Sequence, residues 1–221
     1  ILQAELLDLK TEYDTEAKGI VLESKIDIGR GPVVNIVVTS GNLKKGDYFV
    51  SGLRWGKARA LIDDKGKNLD QAFPSTPVEI LGINGAAKSG DDFVVLNSEK
   101  EAKKLWETRV DESKQEKNPL TFATQDSAFK DKVSEELNII VKSDVHGSSE
   151  AIKSAIDQIT HEEVKAKIIL SDIGMVTETD VTLAKASKAV LIAFNVKPSK
   201  EAKKLAENEN IKISSYNIIY E

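Results

Sequence analysis

One short stretch, Ser143-Asp144-Val145-His146-Gly147-Ser148-Ser149, gathers residue types able to do chemistry. Asp144, His146 and Ser148 are, by type, the acid, base and nucleophile of a catalytic triad. Their spacing argues against that use, because neighbouring positions on one loop rarely place three side chains in one chain of hydrogen bonds. The structural reading gives Asp144 and Ser148 to backbone donors at a helix start and Gly147 to relief of the turn. A metal site from Asp144, His146 and Asp172 is weak too, since the chain has two His, no Cys and no ligand-spacing motif. The helix start after Gly147 has the character of an anion site. No Gly-x-x-x-x-Gly-Lys-Ser/Thr loop accompanies it, however, and Gly29-Arg30-Gly31 falls in a hairpin rather than between strand and helix.

The second signal is electrostatic. Arg54-Trp55-Gly56-Lys57-Ala58-Arg59 and the turn Lys65-Gly66-Lys67 gather five basic residues against Asp63 and Asp64. Strand alternation puts Lys57 and Arg59 on one face and turns Ala58 and Ala60 inward. Such a row suits contact with phosphates without base reading. Arg30 extends it, and Trp55 is placed to stack on a base or ribose. The alternative is a solvated strand face with Trp55 packed under a loop. Lys103-Lys104 and Lys203-Lys204 lie among glutamates on helices and read as solvated faces.

Positioning these groups requires two kinds of unit. Residues 1–97 read as all-β, with strands over Leu2–Lys10, Gly19–Ile28, Pro32–Thr39, Tyr48–Ser51, Lys57–Ile62, Val78–Ile83 and Phe93–Leu96 separated by Gly-rich turns. Open edges are a liability, so the expected solution is a closed barrel. Residues 98–136 form a charged helix and linker. Ser98 caps the helix over 98–117, Ala102, Leu105, Trp106 and Val110 form its apolar stripe, 115–125 reads as a loop, and Ser127–Glu136 as a short helix. Residues 137–221 alternate strand and helix. Strands fall at Leu137–Val141, Val164–Leu170, Ala189–Phe194 and Ile211–Ser215, and helices at Ser148–Thr160, from a Thr177/Asp180 capping box to Ser187, and at Ser199–Glu209. That alternation specifies an α/β/α sandwich with a four-stranded parallel sheet, making the whole a multi-domain β plus α/β chain.

Composition limits the function classes. With 40% apolar and 30% charged residues the chain is globular rather than disordered. No apolar run approaches the roughly 20 residues of a membrane helix. The net charge of −5 divides as −2, −2 and −1 over the three segments, so nucleic acid must be met by a local patch and not by the overall field. Zero Cys fits a reducing cytoplasm. The opening ILQAELLDLK lacks an initiator Met and a signal layout, and SSYNIIYE stops without a turn, so both ends read as cut.

Specific strings resemble domains II and III of bacterial-type translation initiation factor two. In the first unit they include Ala17-Lys18-Gly19-Ile20-Val21-Leu22-Glu23-Ser24-Lys25, Gly29-Arg30-Gly31-Pro32-Val33, Gly41-Asn42-Leu43-Lys44-Lys45-Gly46-Asp47 and Lys57-Ala58-Arg59-Ala60-Leu61-Ile62. In the second they include Leu137-Asn138-Ile139-Ile140-Val141-Lys142-Ser143-Asp144-Val145-His146-Gly147-Ser148, Thr177-Glu178-Thr179-Asp180-Val181-Thr182-Leu183-Ala184 and Phe194-Asn195-Val196-Lys197-Pro198. His146 stands where the family pattern has glutamine, and Trp55 where it has a smaller or tyrosine-like residue.

The resemblance implies a barrel of the translational-GTPase domain II type followed by a small α/β/α sandwich. It also implies a non-enzymatic, monomeric, cytoplasmic segment that docks on the small ribosomal subunit through ribosomal RNA and couples to the large subunit during joining. GTP with Mg²⁺ is expected in a domain upstream, and initiator tRNA in domains downstream, leaving no cofactor here. Contact candidates are Arg30, Arg54, Trp55, Lys57, Arg59, Lys65 and Lys67 on the barrel, with Asp144, His146, Gly147 and Ser148 on the sandwich loop. The rival readings are a small-ligand α/β enzyme domain using that loop, and a spacer that binds nothing.

Overall fold

Alternating burial closes the N-terminal sheet on itself. Its strands are β1 (Lys18–Asp27), β2 (Gly31–Ser40), β3 (Leu43–Lys44), β4 (Tyr48–Ser51), β5 (Arg54–Ile62), β6 (Asn68–Leu69), β7 (Gln71–Ala72), β8 (Pro77–Ile83) and β9 (Asp92–Leu96). Neighbours run β4-β9-β1-β2-β8-β5, and β5 pairs back to β4, giving a closed six-stranded antiparallel barrel. The computed structural model describes residues 7, 10–27, 29–116, 135–159 and 164–219, in two compact units, 1–119 and 120–221. Inward residues Val21, Val34, Ile36, Phe49, Leu61, Ile80 and Phe93 are fully buried. Each contributes roughly 1.5–3 kcal/mol of transfer free energy, and Phe49 stacks obliquely on Phe93 at 4.8 Å between centroids.

The six expected strands from Gly19–Ile28 onward are present, with β5 opening at Arg54 instead of Lys57. The short pairs β3–β7 and β5–β6 add to them. The strand expected over Leu2–Lys10 lies outside the described residues except for Leu7 and Lys10, neither of which is in a strand. Helix α1 (Glu99–Glu116) is continuous, and Ser98 Oγ accepts the Glu101 N–H at 3.3 Å. Its apolar stripe packs on the barrel: Ala102 is fully buried, Trp106 Nε1 donates to the Leu53 carbonyl at 3.0 Å, and Arg109 Nη1 donates to that of Gly52 at 3.3 Å. Gln115 and Glu116 are helical, whereas the remainder of the expected 115–125 loop lies outside the described residues.

The second unit contains β10 (Glu135–Ser143), α2 (His146–Gln158), β11 (Val164–Ile173), α3 (Glu178–Ser187), β12 (Val190–Phe194), α4 (Lys200–Asn208) and β13 (Ile213–Tyr216). All strand pairs are parallel, in the order β11-β10-β12-β13. Ile140, Leu191 and Ala193 meet α3 and α4 on one face, while Ile139, Val141 and Phe194 meet α2 on the other. Helices therefore cover both faces. Glu135 and Glu136 open β10, which overrides the short helix expected over Ser127–Glu136; the rest of that segment lies outside the described residues. Ser199 caps α4 by accepting the Ala202 N–H at 3.0 Å.

The capping box at α3 carries more than a helix start. Asp180 Oδ2 accepts from both the N–H and the hydroxyl of Thr177, each at 2.8 Å, and lies 3.6 Å from Lys142 Nζ. Lys142, two residues beyond Ile140 on the same side of β10, is 5% exposed and also pairs with Asp172 at 2.6 Å. Removing one partner of a buried ion pair strands the other charge. Lys142→Met is accordingly expected to cost the sandwich about 3 kcal/mol in urea unfolding followed by far-ultraviolet dichroism. Adding Asp180→Asn, which removes the stranded charge but keeps an acceptor for Thr177, should recover most of the loss. A single variant as stable as the parent would contradict this reading.

Candidate nucleic-acid interface

A bulge in β5 builds the basic groove. Gly56 pairs with Ile83 and Ala60 with Leu81, so Lys57, Ala58 and Arg59 oppose the single residue Gly82. Extra residues on one strand push it outward and re-aim its side chains. Ala58 turns fully inward, its N–H donating to the Asp47 carbonyl at 2.9 Å and its carbonyl accepting from Gly46 N–H at 2.8 Å. Lys57 and Arg59 are exposed on either side of it. The bulge also shifts the alternation beyond it. Leu61 is the fully buried residue and Ala60 is only half-buried, which corrects the regular inward placement of Ala60.

Gly82 allows the strands to approach at this point. Its φ is +113°, and a Cβ on it would stand 2.0 Å from the Lys57 carbonyl oxygen. Gly56 is equally confined, with a Cβ falling 2.4 Å from the Gly82 carbonyl oxygen. Above this floor lies an open groove of about 750 Å³ whose lining includes Arg30, Tyr48, Trp55, Lys57, Arg59, Asn84 and Glu99. Four of the seven barrel candidates thus share one concavity, while Arg54, Lys65 and Lys67 are outside that lining. Arg54 is exposed, and its Nε donates to the Ala86 carbonyl at 3.2 Å. Lys65 and Lys67 are exposed on a turn organised by Asp63, whose Oδ1 accepts both of their backbone N–H groups at 2.9 and 2.7 Å.

The basic residues of the groove differ in what already neutralises them. Arg30 binds Asp27 at 3.0 Å and Glu79 at 2.6 Å. The Gly29 N–H, then the Arg30 side chain and N–H, hold the Asp27 carboxyl down at about 2, so Arg30 keeps this anion throughout the neutral range. Lys57 Nζ sits 5.0 Å from the centre of the Tyr48 ring. Arg59 has no carboxylate within ion-pair distance among the described residues. Trp55 is half-buried and bracketed by Asn84, which accepts the Trp55 N–H at 3.2 Å and donates its own N–H to the Trp55 carbonyl at 3.0 Å. One face of the indole carries Lys103 Nζ at 4.9 Å. Residue-by-residue reading missed Tyr48, which pairs with Lys57 across the β4–β5 hairpin, and Asn84, Glu99 and Lys103, which are remote from the basic string in sequence.

The sandwich loop is differently arranged. Helix α2 begins at His146, so Gly147 and Ser148 lie inside its first turn and Val145 stands at the N-cap without a side-chain hydrogen bond. That replaces the expected cap by Ser148. Gly147 has no positive φ and nothing within 4 Å of an added Cβ, so it relieves no turn. Asp144 does satisfy a backbone donor, accepting the Val145 N–H at 2.9 Å. His146 Nδ1 is buried without a hydrogen-bond partner, 3.9 Å from Glu150 Oε1. No hydrogen bond links Asp144, His146 and Ser148 among the described residues, and Asp172 is turned to Lys142. Neither a triad nor a ligand set is assembled there.

Two family models match the chain. The model of translation-initiation factor 2 matches residues 111–221, and that of elongation factor G domain 2 matches 16–96. The chain is 78% identical over its full length to translation initiation factor IF-2 of Pelagibacter ubique and 44% identical to that of Granulibacter bethesdensis. It spans only 30% and 25% of those relatives' lengths. A crystal structure of GDP-bound aIF5B from Aeropyrum pernix matches 99% of the chain, over 37% of its own length, with a TM-score of 0.51 at 28% identity. Because the translation-initiation factor 2 model matches half of the chain, residues 111–221, the chain belongs to the translation-initiation factor 2 family.

Proposed function

We propose that this chain is the ribosome-docking and coupling segment of an initiation factor. Its barrel groove lies against ribosomal RNA of the small subunit, and its sandwich relays orientation to the parts that follow. The factor as a whole is a GTPase that delivers initiator tRNA and promotes joining of the large subunit in the cytoplasm. GTP and Mg²⁺ are held by its GTPase domain, and this segment acts as a monomer without catalysis or cofactor of its own. Family membership supports the setting. The observation that carries the docking is the bulge that displays Lys57 and Arg59 side by side, the latter without an internal counter-ion among the described residues. Guanidinium and ammonium groups on a strand suit phosphate contacts that position without reading sequence.

Co-sedimentation with purified small ribosomal subunits tests the proposal. The chain is expected to pellet at low salt and to be released as salt rises, with a log–log slope of about 0.7–0.9 for each phosphate contacted. Remaining in the supernatant at low salt would overturn the docking and leave the spacer and small-ligand readings. The small-ligand alternative predicts a raised melting temperature with nucleotides or phosphorylated metabolites; no such rise is expected.

A further inference from the structure

Helix α1 places a carboxylate in the basic groove. Glu99, its first residue, lines the concavity with Lys57 and Arg59 and binds Lys103 at 2.6 Å. Lys103 in turn covers Trp55. This is not a side chain swinging from a loose tail. The helix is fixed to the barrel over about two turns, by buried Ala102, by Trp106 on the Leu53 carbonyl and by Arg109 on that of Gly52.

We infer that Glu99 acts as an internal stand-in for a backbone phosphate, masking the Lys57–Lys103 side of the groove until a polyanion displaces it. The inference rests on the RNA-docking reading and adds the device that sets its strength and selectivity. Lys103 first, then Tyr48 and Lys57, hold the Glu99 carboxyl below its usual range, so it is ionised and competes wherever RNA binds. An intramolecular competitor has a high effective concentration. A lone phosphate gains too little by exchanging with it. A polyanion that also engages Arg59, which has no carboxylate within ion-pair distance among the described residues, gains enough. Masking makes docking an exchange of anions, which keeps it weak and reversible and favours RNA over free phosphate or mononucleotides.

Glu99→Gln tests this, with Glu101→Gln as a control that changes the net charge equally on the same helical turn but lies outside the groove lining. Binding to small ribosomal subunits and elution from immobilised heparin, a ribosome-independent polyanion, are both measured across salt. Glu99→Gln is expected to bind subunits roughly two- to fivefold more tightly, with a salt slope steeper by about 0.7–0.9, and to leave heparin at higher salt. Glu101→Gln should stay near the parent in both. A Glu99→Gln chain that is folded by tryptophan fluorescence and behaves like Glu101→Gln on both probes would overturn the inference and leave the docking reading intact. Later elution from heparin with no chain binding subunits would retain the masking and overturn the docking.

Discussion

Gly82→Ala is expected to remove about 4 kcal/mol from the barrel, near the upper end for a single substitution. Two costs combine. The residue's φ of +113° is one that L side chains rarely adopt, and the new methyl would overlap the Lys57 carbonyl at 2.0 Å. The strands can relieve that overlap only by separating where β5 bulges. Gly66→Ala isolates the first cost, because Gly66 also has positive φ, +79°, with nothing within 4 Å of an added Cβ. It should lose only about 1 kcal/mol. Both tryptophans, Trp55 and Trp106, belong to the barrel unit, so fluorescence-monitored urea unfolding reports it. Dichroism reports the 18-residue α1, which should melt with the barrel, together with α2, α3 and α4 of 13, 10 and 9 residues, whose larger share of the signal should hardly move. A Gly82→Ala chain no less stable than Gly66→Ala would contradict the bulge geometry.

That glycine also shows where the sequence stopped being legible. Strand positions, closure into a barrel and the parallel sheet could all be read because burial repeats every second residue in strands and every third or fourth in helices. The basic string was legible because its members are near neighbours. Its presentation was not. A bulge needs two strands for its definition, and Gly82 is distant from Lys57 in sequence, so simple alternation put Ala60 inward where Leu61 belongs. Glycine inside β5 and β8 was the available signal, since strand glycine often marks a bulge or close backbone approach.

The same limit explains Glu99 and Trp106. Helical spacing finds the stripe containing Ala102 and Trp106, but not the Leu53 and Gly52 carbonyls it meets. The segment after Asn97 therefore reads as a charged helix and linker separate from the barrel, although the helix packs on it. Arg30 shows the converse, a groove residue whose partners the sequence does not reveal. Its charge counted toward the patch, while Asp27 and Glu79, which cancel it, were brought in by the turn and by β8. At the sandwich loop, residue types suggested chemistry and caps that backbone geometry does not deliver, because α2 begins two residues early.

Docking of the barrel on ribosomal RNA is tested most directly by the double change Lys57→Glu and Arg59→Glu, measured as affinity for small ribosomal subunits beside the parent chain and Arg30→Gln. Charge-assisted contacts contribute about 1.5–3 kcal/mol each, so losing two of them should weaken binding at least about a hundredfold. The salt slope should fall by about 1.4–1.8. Arg30→Gln should change affinity less than about threefold, because Asp27 and Glu79 already hold that guanidinium. Both substituted side chains are exposed, so the unfolding transition seen by tryptophan fluorescence should stay near the parent's. Near-complete loss of subunit binding by this folded double variant is expected; binding equal to the parent's, with an unchanged salt slope, would rule out docking through Lys57 and Arg59.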